Sequence, residues 1–174
     1  MSGTESLPER QKGFTLIELI ITIAVFIVVA SAAGPAIQRV MQDNRLVADV
    51  NGLLGDLNFT RSEAIKRGAV VTICQSSDVT SSVTPSCGND KNAWHDGWLV
   101  KDASGNVLRA HGPLRGGTTL SFSHSSLSYK GDGTSTGLAN GRFDFCSSAG
   151  AGSPGRSLVV GPTGRVRKAK ITCS

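Results

Sequence analysis

The sequence predicts an α+β fold, one long N-terminal helix with an antiparallel β-sheet domain packed on its second half, and three patterns carry that reading. Residues 13–38 form an apolar run whose only charge is Glu18. From Ile37 to Ile65 apolar residues recur at three- and four-residue steps, the period of a helix with one buried stripe. From Ala69 onward the pattern changes to short β-type runs between glycine-rich turns. The length, 174 residues, leaves room for one modest domain plus an extension.

The helix comes first. At about 1.5 Å per residue the apolar run reaches roughly 39 Å, enough to cross a bilayer. A secretory signal peptide is the ordinary alternative, and Ala30-Ser31-Ala32 offers a cleavage site of the A-x-A kind. The run is long for such a peptide, and the Glu18 carboxylate is costly there, about 2.5–3.5 kcal/mol near a bilayer centre. An acid in that place asks for a partner. Pro35, after Gly34, removes one helix hydrogen bond and loosens the turn before it. Beyond it, Ile37, Val40, Met41, Val47, Val50, Leu54, Leu57, Ala64 and Ile65 form the expected stripe. Gly68 closes the helix, with Lys66 and Arg67 in the last turn, where cations suit the helix dipole. One helix is therefore expected over 14–67, apolar over 14–38 and amphipathic over 39–68, with Gly52 and Gly55 weakening it locally.

In the β domain, residues 69–174, the expected strands are "AVVTIC", "GWLVKD", "VLRAHG", "TTLSFS", "RFDFC", "RSLVVG" and "RVRKAKIT". "DASGN" and "GPTG" read as hairpin turns, and "YKGDGTSTGLANG" reads as a loop. No Rossmann or P-loop glycine pattern is present.

Charge is distributed unevenly. Residues 1–144 balance, so the formal net charge of +5 resides wholly in the last thirty residues, where Arg156, Arg165, Arg167, Lys168 and Lys170 meet no acid. Such a strip implies a polyanionic partner, nucleic acid or an anionic surface, against the plainer reading of a solvated basic edge. Cys74, Cys87, Cys146 and Cys173 form no CxxC pair, and His95, His111 and His124 show no ligand spacing, so neither a metal nor another cofactor is expected. Three connectivities are open to the four cysteines; neighbour pairing, Cys74–Cys87 and Cys146–Cys173, is the simplest and requires an oxidising compartment.

The stretch "KGFTLIELI" resembles the leader and mature N-terminus of type IV prepilins and type II secretion pseudopilins. The resemblance implies a leader over 1–13, cleavage by a prepilin peptidase between Gly13 and Phe14, and methylation of the new amine. It also implies that Glu18 pairs with the N-terminal amine of a neighbouring subunit during assembly, which supplies the partner the buried acid needs. "RSEAIKRG", the cysteine after the first strand, "WHDGWLV" and "GRSLVVGPTGRVRKAKITC" resemble the GspH/FimT family of minor pilins and pseudopilins. The fold implied is type IV pilin-like, with a single-pass inner-membrane precursor, a periplasmic globular domain, and display at the cell surface once other pilin subunits and the assembly machinery have built the pilus. FimT-type members are linked to DNA uptake in natural transformation through a C-terminal GRxR motif, which here falls on Gly164, Arg165, Val166 and Arg167.

Function classes separate on these residues. No GxSxG, HExxH or paired carboxylates suggest an enzyme, and His95-Asp96-Gly97 reads as a turn between packed tryptophans. Core or surface packing is expected for Trp94 and Trp98, with stacking on single-stranded DNA as the alternative. After a type I turn at "GPTG", strict alternation puts Val166 out of phase with Ala169 and Ile171. A bulge at Arg167-Lys168 would bring all three inward and send Arg165, Arg167, Lys168 and Lys170 outward together. With Arg156 joining from the preceding strand, that ridge suits phosphate contact without base reading. Lys66, Arg67, Arg109 and Arg115 are weaker candidates. A DNA-binding minor pilin and a structural pseudopilin of a type II secretion system both fit the N-terminal motif; the basic ending favours the first.

Overall fold

A computed structural model describes residues 13–81, 83–136, 141–148 and 151–174, apart from the side chains of residues 32–36 and 39. The expected leader lies almost wholly outside these residues. The chain divides into two compact units, Met1–Val40 and Met41–Ser174.

Helix α1 runs Leu16–Arg67 as expected. Its start is capped locally: the Glu18 amide donates to the Thr15 hydroxyl at 3.3 Å, and the Thr15-x-x-Glu18 spacing is that of a capping box. Glu18 therefore also places a negative charge in the first turn, where the helix dipole favours it. In the first unit Phe14, Leu16, Ile17, Phe26 and their apolar neighbours are exposed. Among the described residues no helix is long and apolar enough to cross a membrane.

At the other end Gly68, at φ 61°, donates to Ile65 O while Ala69 donates to Ala64 O. This is a Schellman closure, and it needs a left-handed residue at Gly68. The buried stripe of α1 differs from the expected one. Leu46, Val50, Leu53, Leu57 and Ala64 are buried, whereas Ile37, Val40, Met41 and Ile65 are exposed. Full burial of Leu53 and Leu57 stabilises the fold by about 1.5–3 kcal/mol each.

Among its described residues the second unit holds nine strands in two antiparallel sheets rather than one. They are β1 (Val71–Gln75), β2 (Trp98–Lys101), β3 (Val107–His111), β4 (Thr119–Phe122), β5 (Ser126–Tyr129), β6 (Ser135–Thr136), β7 (Gly141–Cys146), β8 (Pro154–Val160) and β9 (Val166–Thr172). One sheet runs β3-β2-β1-β5-β6 and the other β4-β7-β8-β9, so β9 is an edge strand. The seven expected strands form; β5 and β6 are additional, and β6 lies in the stretch expected to be loop. The inner faces of both sheets join the α1 stripe in one core that includes Ile73, Val100, Leu127, Phe143, Phe145, Leu158 and Val160.

Both tryptophans belong to this core, at 0% and 1% exposure, which removes the stacking-platform reading. Trp94 meets Phe122 and Phe143 edge-on and donates to His124 O at 2.9 Å. Trp98 stacks on His111 and donates to the buried Asp56 carboxylate at 2.8 Å. His95 and Asp96 sit in a short 3-10 turn between the two tryptophans, as expected. Disulfides link Cys74 to Cys87 and Cys146 to Cys173, the neighbour pairing, and the second ties the chain end just past β9 to β7.

Candidate functional site

The basic ending begins at the hairpin between β8 and β9. Gly164 N donates to Gly161 O, and Gly161 N to Arg165 O, each at 2.9 Å, and Gly164 sits at φ 75°. The loop is thus a type I turn followed by a left-handed glycine, a geometry whose twist suits the flanking strands. The turn is held from three sides. Arg61, on α1, donates to Gly133 O at 2.9 Å and to Thr163 O at 3.1 Å. Ser135, on β6, donates its amide to Pro162 O and its hydroxyl to Gly161 O. Tyr129 packs beneath Gly164; burial pushes its phenol pKa up to about 12 against the opposing effect of Arg61. A Cβ on Gly164 would overlap Gly133 O and come within 2.9 Å of Arg61 Nε. The glycine of the motif is therefore demanded by both backbone conformation and space.

Beyond the turn the strand corrects the expected bulge. The β8–β9 register is unbroken from Val160 opposite Val166 to Pro154 opposite Thr172. Alternation is strict, so Val166, Lys168 and Lys170 share one face while Arg167, Ala169 and Ile171 share the other. The first is the inner face: Leu158 and Val160, across from Lys168 and Val166, are core residues, and Lys168 Nζ donates to Asn51 Oδ1 on α1 at 2.6 Å. The physical reason is that β9 is an edge strand, where neither face must be fully covered. Ala169 stays exposed and Ile171 half-buried, so the parity conflict never needs a bulge.

The five cations therefore divide. Arg165, Arg167, Lys168 and Lys170 are all exposed and none joins an ion pair among the described residues, but the strand sets Arg167 on the outer face of the sheet and the two lysines on the side of α1. Arg156, paired across the strands with Lys170, turns instead to Asp43 on α1 at 3.1 Å. Arg156 and Lys168 flank a cleft of about 270 Å³ whose walls include Val47, Val50 and Asn51 of α1. Of the weaker candidates, Arg67 pairs with Glu63 and Asp102, Lys66 with Glu63, and Arg109 with Asp56 while lying 3.9 Å over the Phe59 ring. Arg115 lines a separate cleft of about 610 Å³ with Arg45, Asp49 and His111. There the Asp49 carboxyl is pushed up by burial, more than Thr118 and His111 pull it back. Among the described residues no cluster of histidine, cysteine and carboxylate side chains could hold a metal.

Sequence reasoning missed Arg61, Ser135 and Asp56. The signal for Arg61 was present, an arginine on the helix flank three positions before the buried Ala64, but its acceptors lie 72 and 102 residues away.

Comparison with known proteins follows this geometry. Residues 49–164 match the family model of the type II transport protein GspH, and residues 9–34 match the prokaryotic N-terminal methylation motif. The fold is similar to that of the type IV minor pilin FimU of Pseudomonas aeruginosa strain PAO1 in two crystal forms. Over 72% of this chain and 89% of the first FimU chain the TM-score is 0.56 at 24% identity. For the second the values are 71%, 92%, 0.54 and 23%. No curated protein gives a significant match.

Proposed function

This chain belongs to the GspH family of type II transport proteins and is a type IV pilin-like protein of the minor pilin or pseudopilin class; on that premise we propose that it is a minor pilin that captures extracellular DNA for uptake in natural transformation. The observation that carries the reading is the presentation of Arg165 and Arg167. Both are exposed and unpaired among the described residues, next to a turn that Arg61, Ser135 and Tyr129 support from behind. A guanidinium grips a phosphate bidentately, and a rigid mount lowers the entropy lost on binding. Phosphate contact alone gives weak, sequence-tolerant binding, which suits arbitrary DNA, and several copies on one fibre would add avidity.

The remaining roles follow from the motif. Prepilin peptidase would cut between Gly13 and Phe14 and methylate the amine, and Glu18 would meet that amine on a neighbouring subunit during assembly. Residues 14–38 would anchor the precursor in the inner membrane, with the second unit in the periplasm until the pilus displays it at the surface.

The test uses the full chain in a non-ionic detergent, with mobility shifts of double-stranded DNA across a salt series. If about three to five phosphates are neutralised, log Kd against log salt should have a slope of about 3 to 4.5 in magnitude. The variant Arg165→Gln/Arg167→Gln should lose the shift while keeping its fold, and cells carrying it should lose transformation but keep pili. Equal binding by the variant removes the motif from the mechanism.

A second reading has its own observation. Lys168 and Arg156 are engaged with α1, and the family model is that of a type II transport protein. A structural pseudopilin, whose basic ending meets another subunit or a secreted substrate, would lose secretion rather than transformation in the same variant.

A further inference from the structure

The outer face of the four-stranded sheet carries a row that the charge pattern of the sequence conceals. Arg142 on β7 stands opposite Val159 on β8, and Val159 stands opposite Arg167 on β9. With strands about 4.8 Å apart, the two arginines sit about 10 Å from each other at the backbone, with only a valine between them. Of the outward-facing rows that span β7 to β9 this one is nearest the hairpin turn that ends at Gly164, so Arg165, Arg167 and Arg142 gather at one end of the sheet. The neighbouring row is Ser121, Asp144, Ser157 and Ala169, small side chains apart from the acid.

Arg142 is also held in position. Its Nε and one terminal nitrogen both reach Asp144 Oδ2 at 2.9 Å, while 59% of the side chain stays exposed. Two of its nitrogens are thereby fixed and the other terminal nitrogen remains directed away from the carboxylate. A cleft of about 320 Å³ beside it, bordered by Lys91, Asn92, Ser121 and Ser123, adds a further cation and neutral hydrogen-bonding groups, the residue types that contact phosphate and sugar.

We infer that Arg142 is a third phosphate-contacting arginine, and that the duplex lies across the outer face of β9, β8 and β7 rather than along the β9 edge. This rests on the DNA-binding reading above. About 10 Å apart at the backbone and carried on long side chains, Arg142 and Arg167 can reach two different phosphates of one duplex. The inner-face Lys168 and Lys170 lie outside this track.

The test is fluorescence anisotropy of a short labelled duplex of mixed sequence with the full chain in detergent, between about 50 and 200 mM salt. Arg142→Gln should weaken binding about three- to tenfold and reduce the salt slope by about 1, while Arg142→Lys keeps the slope. Asp144→Asn, which removes the same ion pair but leaves the cation, should bind at least as tightly as the native chain. If Asp144→Asn weakens binding as much as Arg142→Gln, the ion pair acts only on the fold and the inference fails. If Arg142→Gln changes nothing while Arg165→Gln/Arg167→Gln abolishes binding, the track does not cross β7 though DNA capture stands. If none of the variants changes binding, the DNA reading falls with it.

Discussion

Arg61 and Gly164 meet across a space with no room for a side chain: a Cβ on Gly164 would lie 2.9 Å from Arg61 Nε and overlap Gly133 O. The glycine thus fixes the turn from which Arg165 and Arg167 project. Gly164→Ala should therefore impair DNA binding without removing a charge. The left-handed conformation alone costs a non-glycine residue about 1–2 kcal/mol, and the contact with backbone adds to it. Thermal unfolding should show a lower melting temperature, and anisotropy should show weaker binding with a nearly unchanged salt slope. Full binding in a destabilised variant would mean that the turn is not needed to aim the arginines.

The division of the cations by strand alternation gives a quantitative contrast. Lys168→Gln/Lys170→Gln and Arg165→Gln/Arg167→Gln each remove two positive charges, so a featureless basic tail would respond equally to both. In this structure Lys168 is bound to Asn51 and both lysines lie on the inner side of an edge strand. Lysines there also guard the free edge against pairing with another strand. The lysine variant should keep most of the native affinity and lower the salt slope by well under 1, whereas the arginine variant should lose the shift. Equal losses would restore the single ridge that a bulge would have made.

Much of this architecture was legible because it rests on local rules. The cap at Gly68, the alternation in seven strands and the glycines of the 161–164 turn each depend on neighbours a few residues away. The parts that were not legible depend on distant partners. Asp56 lies on the buried stripe of α1, where a carboxylate argues against burial. Its compensation comes from Trp98 and Arg109, 42 and 53 residues further on. β5, "SLSY", is serine-rich and weak as a strand by itself; it forms because β1 accepts it on its free side. The bulge was expected because every apolar residue was assigned to the interior, a rule that relaxes on an edge strand. In the site, the motif residues were legible but their mounting was not, since Arg61 and Ser135 reach the turn only through the tertiary fold.

Asp56 itself gives a stability prediction. Its two oxygens accept from the Trp98 indole and the Arg109 guanidinium, each at 2.8 Å, and its side chain is 7% exposed. Asp56→Ala would leave a buried indole N–H unpaired and strand a half-exposed cation, a loss of about 1–3 kcal/mol in denaturant unfolding. Asp56→Asn keeps one acceptor and should lose less. An alanine variant as stable as the native chain would show that water replaces the carboxylate without cost.

Asp49 supplies a pH dependence with a definite sign. Burial raises its pKa above the ordinary 3.8, outweighing the Thr118 hydrogen bond and the attraction of His111, and one carboxylate oxygen is buried with no hydrogen-bond partner among the described residues. The folded chain therefore holds this proton more tightly than the unfolded chain does. At neutral pH both states are ionised and the full desolvation penalty is present. As pH falls through the raised folded pKa toward 3.8, the folded state protonates first and that penalty is relieved. Arg45, Arg115 and His111 share the cleft with it. Asp49→Asn should accordingly melt above the native chain at pH 7, with the difference shrinking steadily toward pH 3.8. Melting curves of both proteins across that range decide it: a constant offset would assign the effect to packing of the amide rather than to the buried charge.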